Sequence, residues 1–201
     1  MPRVAPEMPD RLARCAFEIF AERGFRDGSV EDIAARASVT KGSFYSHYRS
    51  KQQIILAACN YYYRTYQQRV HALLARTDDP LKRLRCVLEY AVRACVIDRQ
   101  TRVFTTKIFA LSLQDEAVRA GWAQFYDTVR QQYLGLVGAA VAAGQLQSPH
   151  PAAAVNLMLA AIEGVKLRAV FEPQIAAPDE RASIVEGLLG ILGTVPQTAT
   201  R

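Results

Sequence analysis

Three helix-capping residues, Ser29, Thr40 and Ser50, punctuate the stretch SVEDIAARASVTKGSFYSHYRSK, Ser29 to Lys51. Their spacing leaves room for two short helices and the start of a longer one. Ser29 precedes Val30-Glu31-Asp32, so its hydroxyl can accept a first-turn N–H while Asp32 complements the positive helix end. Val30, Ile33, Ala34 and Ala37 then share one face at i, i+3, i+4, i+7 spacing. Thr40 opens the second helix, with Val39 and Phe44 as the apolar pair that fixes how the chain enters it. Ser50 caps the third, with Gln53 as its reciprocal partner. Helices this short are stable only when packed on one another, and the pattern is that of a helix-turn-helix over 29–48.

With Phe44 turned inward, the second helix presents Lys41, Gly42, Tyr45 and Ser46 outward. Small, hydroxyl, aromatic and basic side chains suit the major groove of DNA better than a protein core. Gly42 lets backbone approach a phosphate or base edge, and Lys41 and Lys51 are point charges for phosphate. Thr40 and Ser43 offer hydroxyls, and Tyr45 and His47 can bond a phosphate or press on a thymine methyl. From Ile33 to Thr77 there is no Asp or Glu, whereas Arg36, Lys41, Arg49, Lys51, Arg64, Arg69 and Arg76 give seven positive charges. That exceeds the net charge of +6 of the whole chain. A solvated basic face on an ordinary helical protein would have the same charge but not the caps, the turn and the polar helix surface.

Through FAERGF (Phe20–Phe25), SVEDIA (Ser29–Ala34), KGSFYSHY (Lys41–Tyr48) and the closing RSK (Arg49–Lys51), the segment from Leu12 to about Ala57 resembles the TetR family of transcriptional regulators. Carried over by position, the resemblance implies that Thr40, Lys41, Gly42, Ser43, Tyr45 and His47 form the DNA-reading surface, with the outward Ser46 beside them. Ser29 and Lys51 become phosphate clamps at flanking helix ends. The family usually has Gly before the valine of the turn, where this chain has Ser38. If that position needs a left-handed backbone, Ser costs about 1 kcal/mol relative to Gly.

The remainder reads as helices only. The first runs from about Pro9 to Arg23, stopped by Gly24 as a left-handed cap. The fourth, Lys51 to about Ala75, is long enough to serve as the mechanical link between head and body. Further helices are expected at Pro80 to about Ile97, Thr101 to Ser112, about Asp115 to Ala143 (ended by Gly144), Ala152 to Phe171 and Asp179 to Leu192. The fold class is therefore all-α, about nine helices. A three-helix DNA-binding head, 1–51, is joined by the long fourth helix to an effector-binding and dimerisation body, 52–201. The opening MPRVAPEMPD has three prolines and no apolar h-region, which suggests a short arm, with Arg3 a possible minor-groove contact, rather than a signal peptide. No run of about 18 apolar residues could span a bilayer. The four cysteines have no C-x-x-C spacing and read as small hydrophobes with reduced thiols, in a cytoplasmic protein.

The last two helices are apolar nearly all round, so each must be covered on two sides. One cover is the chain's own core and the other a second copy. Leu157, Ile162, Val165, Ile184, Leu188 and Ile191 are the candidate dimer contacts, and Gly187 and Gly190 would allow close approach. The resemblance implies a four-helix bundle across a two-fold axis and a small-molecule pocket in the body. Candidate liners are Tyr62, Tyr66, Tyr90, Phe104, Phe109, Trp122, Phe125, Tyr126, Met158 and Glu163, any of which could equally be plain core. Glu163 could meet a cationic ligand, or pair with Lys166 or a nearby arginine.

No H-E-x-x-H, G-x-S-x-G or phosphate-cradling glycine loop occurs, and His47, His71 and His150 lie far apart, so neither an enzyme nor a cofactor or metal site is expected. The expected function is a transcriptional regulator, a repressor in the family's usual mode. Its expected partners are a double-stranded DNA operator, a second copy of itself and a small-molecule effector, with no membrane. The alternative is a helical adaptor whose basic head docks a non-DNA partner.

Overall fold

The computed structural model describes residues 7–196, and Arg3 lies outside them. The described residues form nine α-helices: α1 (Met8–Asp27), α2 (Val30–Arg36), α3 (Lys41–His47), α4 (Lys51–Leu74), α5 (Pro80–Ala91), α6 (Arg99–Ser112), α7 (Glu116–Ala142), α8 (Pro151–Arg168) and α9 (Arg181–Leu192). One isolated antiparallel bridge, Gln147 with Thr194, is the only β-type pairing among them. The chain divides into two compact units, one within Met1–Gln67 and Val103–Ala123, the other within Gln68–Arg102 and Gln124–Arg201. Helices α4, α6 and α7 contribute residues to both.

The first unit is built on α1. Leu12, Ala16, Ile19 and Phe20 line its inner face and are buried with Ile33 of α2, Phe44 of α3 and Ile54 and Ala58 of α4. Phe104 of α6 packs edge-on against Phe17, ring centroids 4.6 Å apart, and near Tyr62. Helix α1 does not stop at Gly24. That residue takes φ +91, ψ 171, an extended rather than left-handed helical geometry, and the chain resumes helical turns to Asp27. Hence Gly24 kinks the helix, where a cap was expected, and positive φ is the reason glycine sits there.

The turn between α2 and α3 is a Schellman motif. Val39 N–H donates to Ala34 O and Ser38 N–H to Ala35 O, both at 3.0 Å. The motif needs a left-handed residue at its centre, and Ser38 supplies it at φ 53. Glycine's usual place is thus filled by a residue with a Cβ. Helix α7 ends in the same motif, with Gly144 at φ 68.

In the second unit α8 packs on α9 and α9 on α5. Leu84, Leu88, Tyr133, Val155, Met158 and Leu192 form the core. The helix expected to run straight to Ile97 instead widens into a π-helical segment over Val92–Ile97, closed by Asp98 N–H donating to Arg93 O. The wider turn delivers Asp98 to the start of α6, where its carboxylate accepts the Thr101 N–H at 2.7 Å. No disulfide joins the four cysteines, and burial pushes the Cys59 thiol up to about 12.

Replacing Ser38 with Gly removes the Cβ strain at φ 53. Offset by the extra freedom of an unfolded glycine, the gain is about 0.5–1 kcal/mol. Urea denaturation of the two proteins reads it as a higher midpoint at unchanged slope; a lower midpoint would remove the strain assignment.

Candidate nucleic-acid interface and effector region

Helix α2 is fastened by a complete capping box. Ser29 Oγ accepts the Asp32 N–H at 3.0 Å, and the Asp32 carboxylate accepts the Ser29 N–H at 3.1 Å and the Ser29 hydroxyl at 2.7 Å. Those bonds, the hydroxyl's first, hold the Asp32 carboxyl down at about 2, with Arg23 at 2.7 Å adding a smaller pull. Ser29 therefore has no donor left, and its role here is to hold the helix end.

Helix α3 has one buried residue, Phe44. Its cap is Thr40, whose Oγ1 accepts the Ser43 N–H at 3.1 Å and leaves the hydroxyl proton free to donate. Thr40, Lys41, Gly42, Tyr45, Ser46 and His47 are exposed and Ser43 is half-buried, so the structure brings these seven onto one short helix and its cap. Tyr45 is 44% exposed although its ring stands edge-on to Phe44 at 5.3 Å. Ser46 donates to Ser43 O at 2.7 Å. A Cβ built on Gly42 would meet only Thr40 Oγ1, at 3.8 Å, an ordinary contact. Nothing inside the chain requires glycine there.

The acid-free stretch is less free than its composition suggests. Arg36 is forked onto Glu22 at 2.7 and 2.8 Å, Arg64 meets Asp10 at 2.9 Å, and Lys41 pairs with Glu31. The Lys41 bond, in turn, holds the Glu31 carboxyl below the usual range. Each acid lies outside the stretch, brought in by packing of α1 and α2. Lys51, expected as a phosphate clamp, donates to Arg26 O at 2.8 Å and closes the end of α1.

The ten bulky residues proposed as effector liners fall into separate groups. Tyr62, Tyr66, Phe104 and Trp122 are buried in the first unit, while Phe109 of that unit is 41% exposed. Phe125 and Met158 are buried in the second unit, with Tyr90, Tyr126 and Glu163 partly so. There Glu163 pairs with Lys166 at 2.5 Å, the lysine side chain being only 1% exposed. Burial, followed by the Glu163 charge and a hydrogen bond to it, pushes the Tyr126 phenol well above its ordinary range. Lys166 is a buried cation that enters the sequence reading only as a partner for Glu163. Its i, i+3 offset on one helix was the available signal.

On α8 and α9 the six candidate dimer contacts split as well. Leu157 is 63% and Ile191 38% exposed, Val165 and Ile184 are half-buried, but Ile162 and Leu188 are 5% and 3% exposed within the chain's own core. The last two are thus not available to a second copy. Val170 and Phe171 are exposed too, at 68% and 71%. Built Cβ atoms on Gly187 and Gly190 meet nothing within 4 Å. Among the described residues no helix is long and apolar enough to cross a membrane, and no group of three or more His, Cys, Asp or Glu is placed to hold a metal.

Residues 14–58 match the family described as bacterial regulatory proteins, tetR family. An uncharacterised HTH-type transcriptional regulator of Bacillus subtilis, YerO, is 36% identical over 56 residues, 28% of this chain and 19% of that protein. The HTH-type transcriptional repressor KstR2 of Mycobacterium tuberculosis is 34% identical over 87 residues, 42% of this chain and 44% of that one. The match thus covers less than half the length of either curated relative. The fold is matched far more widely. A transcriptional regulator from Saccharomonospora viridis crystallised in complex with choline superposes with TM-score 0.82 at 18% identity, covering 92% of this chain and 96% of that one. A TetR transcription regulator from Haloarcula marismortui superposes with TM-score 0.80 at 16% identity, over 92% and 96%.

The Asp32 cap sets an acid dependence. Its folded value is depressed from 3.8 to about 2, so the stability it contributes is complete above about pH 4 and is lost as pH falls through about 2. Asp32→Asn should lower the melting temperature by a constant amount above about pH 4, and the gap should close towards about pH 2. Circular dichroism melts across that range read it, and a gap that persists unchanged at about pH 2 would rule the carboxylate out.

Proposed function

The chain belongs to the TetR family of bacterial regulatory proteins, and from that premise we propose that it is a sequence-specific DNA-binding transcriptional regulator, a repressor released from a pseudo-palindromic operator by a small-molecule ligand. One observation carries the reading: α3 buries Phe44 alone and turns every chemically useful side chain outward. Thr40, Lys41, Ser43, Tyr45 and His47 are the groups that meet base edges and phosphates, Gly42 allows the close approach, and Ser46 holds the last turn. Ser29 and Lys51 position the flanking helix ends. The repressor sense follows relatives such as KstR2, described as a repressor.

A two-fold dimer places two recognition helices about 34–36 Å apart, matching half-sites one turn of DNA apart. The exposed apolar residues Leu157, Phe171 and Ile191 supply the surface that a second copy covers, with Val165 and Ile184 at its edge. A ligand then acts by favouring the conformation in which the head spacing no longer fits. A 100-fold loss of operator affinity needs about 2.7 kcal/mol of coupling. Choline, bound by the Saccharomonospora protein, would need a free carboxylate or aromatic cage. In this chain Glu163 is already neutralised by Lys166.

The test is binding to the DNA upstream of the protein's own coding region against scrambled DNA, over about 50 to 300 mM salt. Tight, salt-steep binding to the native fragment alone is expected; equal weak binding to both would turn the head into a docking surface for another partner. Tyr45→Ala should cost at least about tenfold in that affinity with the melting temperature unchanged, since the ring is exposed. Unaltered affinity would take the reading role from α3.

For the dimer, Leu157→Arg adds a charge at a position already 63% exposed, so the fold survives and sedimentation should give monomers. Leu188→Arg would instead bury that charge in the chain's own core and lose the fold. A dimer that persists in Leu157→Arg moves the interface off α8.

A further inference from the structure

Two cations of the acid-free stretch take no part in the head. Arg69 and Arg76, on the last turns of α4 and just beyond it, lie in the second unit on a cleft of about 250 Å³, together with Glu89, Tyr90, Arg93 and Arg181. Four arginines from three separate segments line one concavity that holds a single carboxylate. That carboxylate, Glu89, is engaged by Arg181 at 3.5 Å. Arg93 stands over the Tyr90 ring, 5.7 Å from its centroid. Among the described residues no carboxylate reaches Arg69, Arg76 or Arg93 within ion-pair distance.

Cations spaced along one helix face are simply hydrated, but cations gathered from different elements into one cleft repel each other, and here the single carboxylate Glu89 offsets that repulsion only in part. The Tyr90 phenol senses them. Burial raises it above its ordinary range, while Arg93 and Arg69 both pull the other way. Guanidinium forks match the oxygens of phosphates and carboxylates, and the ring offers a flat apolar surface for an organic part. Sites that enclose drug-sized ligands run from about 300 to 1,000 Å³, so this cleft suits a small polar molecule and not a long acyl chain.

We propose that this cleft binds a small, multiply charged oxyanion, carried on a phosphate ester or a polycarboxylate, and that such an anion is the effector of the regulator. The effector role rests on the function proposed above; the binding site does not. Calorimetric titration of the full chain, without DNA, with inorganic pyrophosphate and separately with citrate tests the site, with choline chloride at matched ionic strength as control. Saturable binding of one anion per chain is expected, weakened at least tenfold in the Arg76→Gln/Arg93→Gln double variant and retained in Lys41→Gln. Preference for pyrophosphate assigns a phosphate and preference for citrate a polycarboxylate, and either supports the site. No saturable binding of either anion, equal affinity in the double variant, or loss in Lys41→Gln, which would put the anion on the head, overturns it. The bound anion should also lower affinity for the upstream DNA fragment in the wild type and not in the double variant, and an unchanged affinity overturns the effector role. Failure to bind that fragment without any anion would defeat the regulator reading and leave the cleft titration standing.

Discussion

Burial of Phe44 is the contact on which the proposed recognition surface depends. Helix α3 has seven residues, too few to be stable by itself, and Phe44 is its one buried side chain. Its position at the fourth residue of the helix sets the rotation of the rest: Gly42 and Ser46, two residues to either side, face away from the core, and Tyr45 stands at the flank. The ring sits 6.0 Å from Tyr48, whose hydroxyl donates to Pro9 O on α1 at 3.1 Å. That bond links the far end of α3 to the helix that supports the head. The Schellman turn before α3 and the Ser50 cap after it fix the two approaches. Loss of the Phe44 ring would cost about 3–5 kcal/mol by cavity formation and would free the rotation that every outward residue shares.

Much of this was legible because it is local. A cap is read three residues from its partner, and the caps at Ser29, Thr40 and Ser50 all formed. Even there the detail differs: the Gln53 amide oxygen accepts the Arg49 N–H and not that of Ser50, one residue away from the reciprocal bond expected. The left-handed backbone at Ser38 enters the sequence reading only as a condition, through the glycine that the family resemblance puts there, and the fold meets that condition at φ 53. The π-helical segment at Val92–Ile97 left no trace in the apolar spacing, because six residues make little more than one turn, too short a run to show a changed period.

What local reading misses is partnership across distance and choice of face. Arg36, Lys41 and Arg64 lie in a run with no acid, yet Glu22, Glu31 and Asp10 neutralise them from elsewhere in the chain. A charge run is therefore not a charge patch until the fold has placed its neighbours. The faces of α8 and α9 pose the same difficulty in apolar terms. Where every side is apolar, periodicity has nothing to select with, and Leu157 and Ile162 look alike in the sequence. The fold decides that one stays at 63% exposure and the other falls to 5%.

The pairing of Lys41 with Glu31 bears on how the head would discriminate. An exposed ion pair is worth about 0–1 kcal/mol, so exchanging a carboxylate for a phosphate costs little when the phosphate is well placed. When it is poorly placed, the carboxylate competes successfully. If α3 reads DNA as proposed, Glu31 would withhold one cation from random DNA while leaving it available at a site where Tyr45 and the hydroxyls seat the helix. Non-specific affinity scales with the number of phosphates neutralised, so a pair of this kind raises the ratio of specific to non-specific binding without adding a base contact. On this view the acids that flank the head work in recognition, and the free arginines that the head leaves unused, Arg69 and Arg76, are the ones available for a different anion.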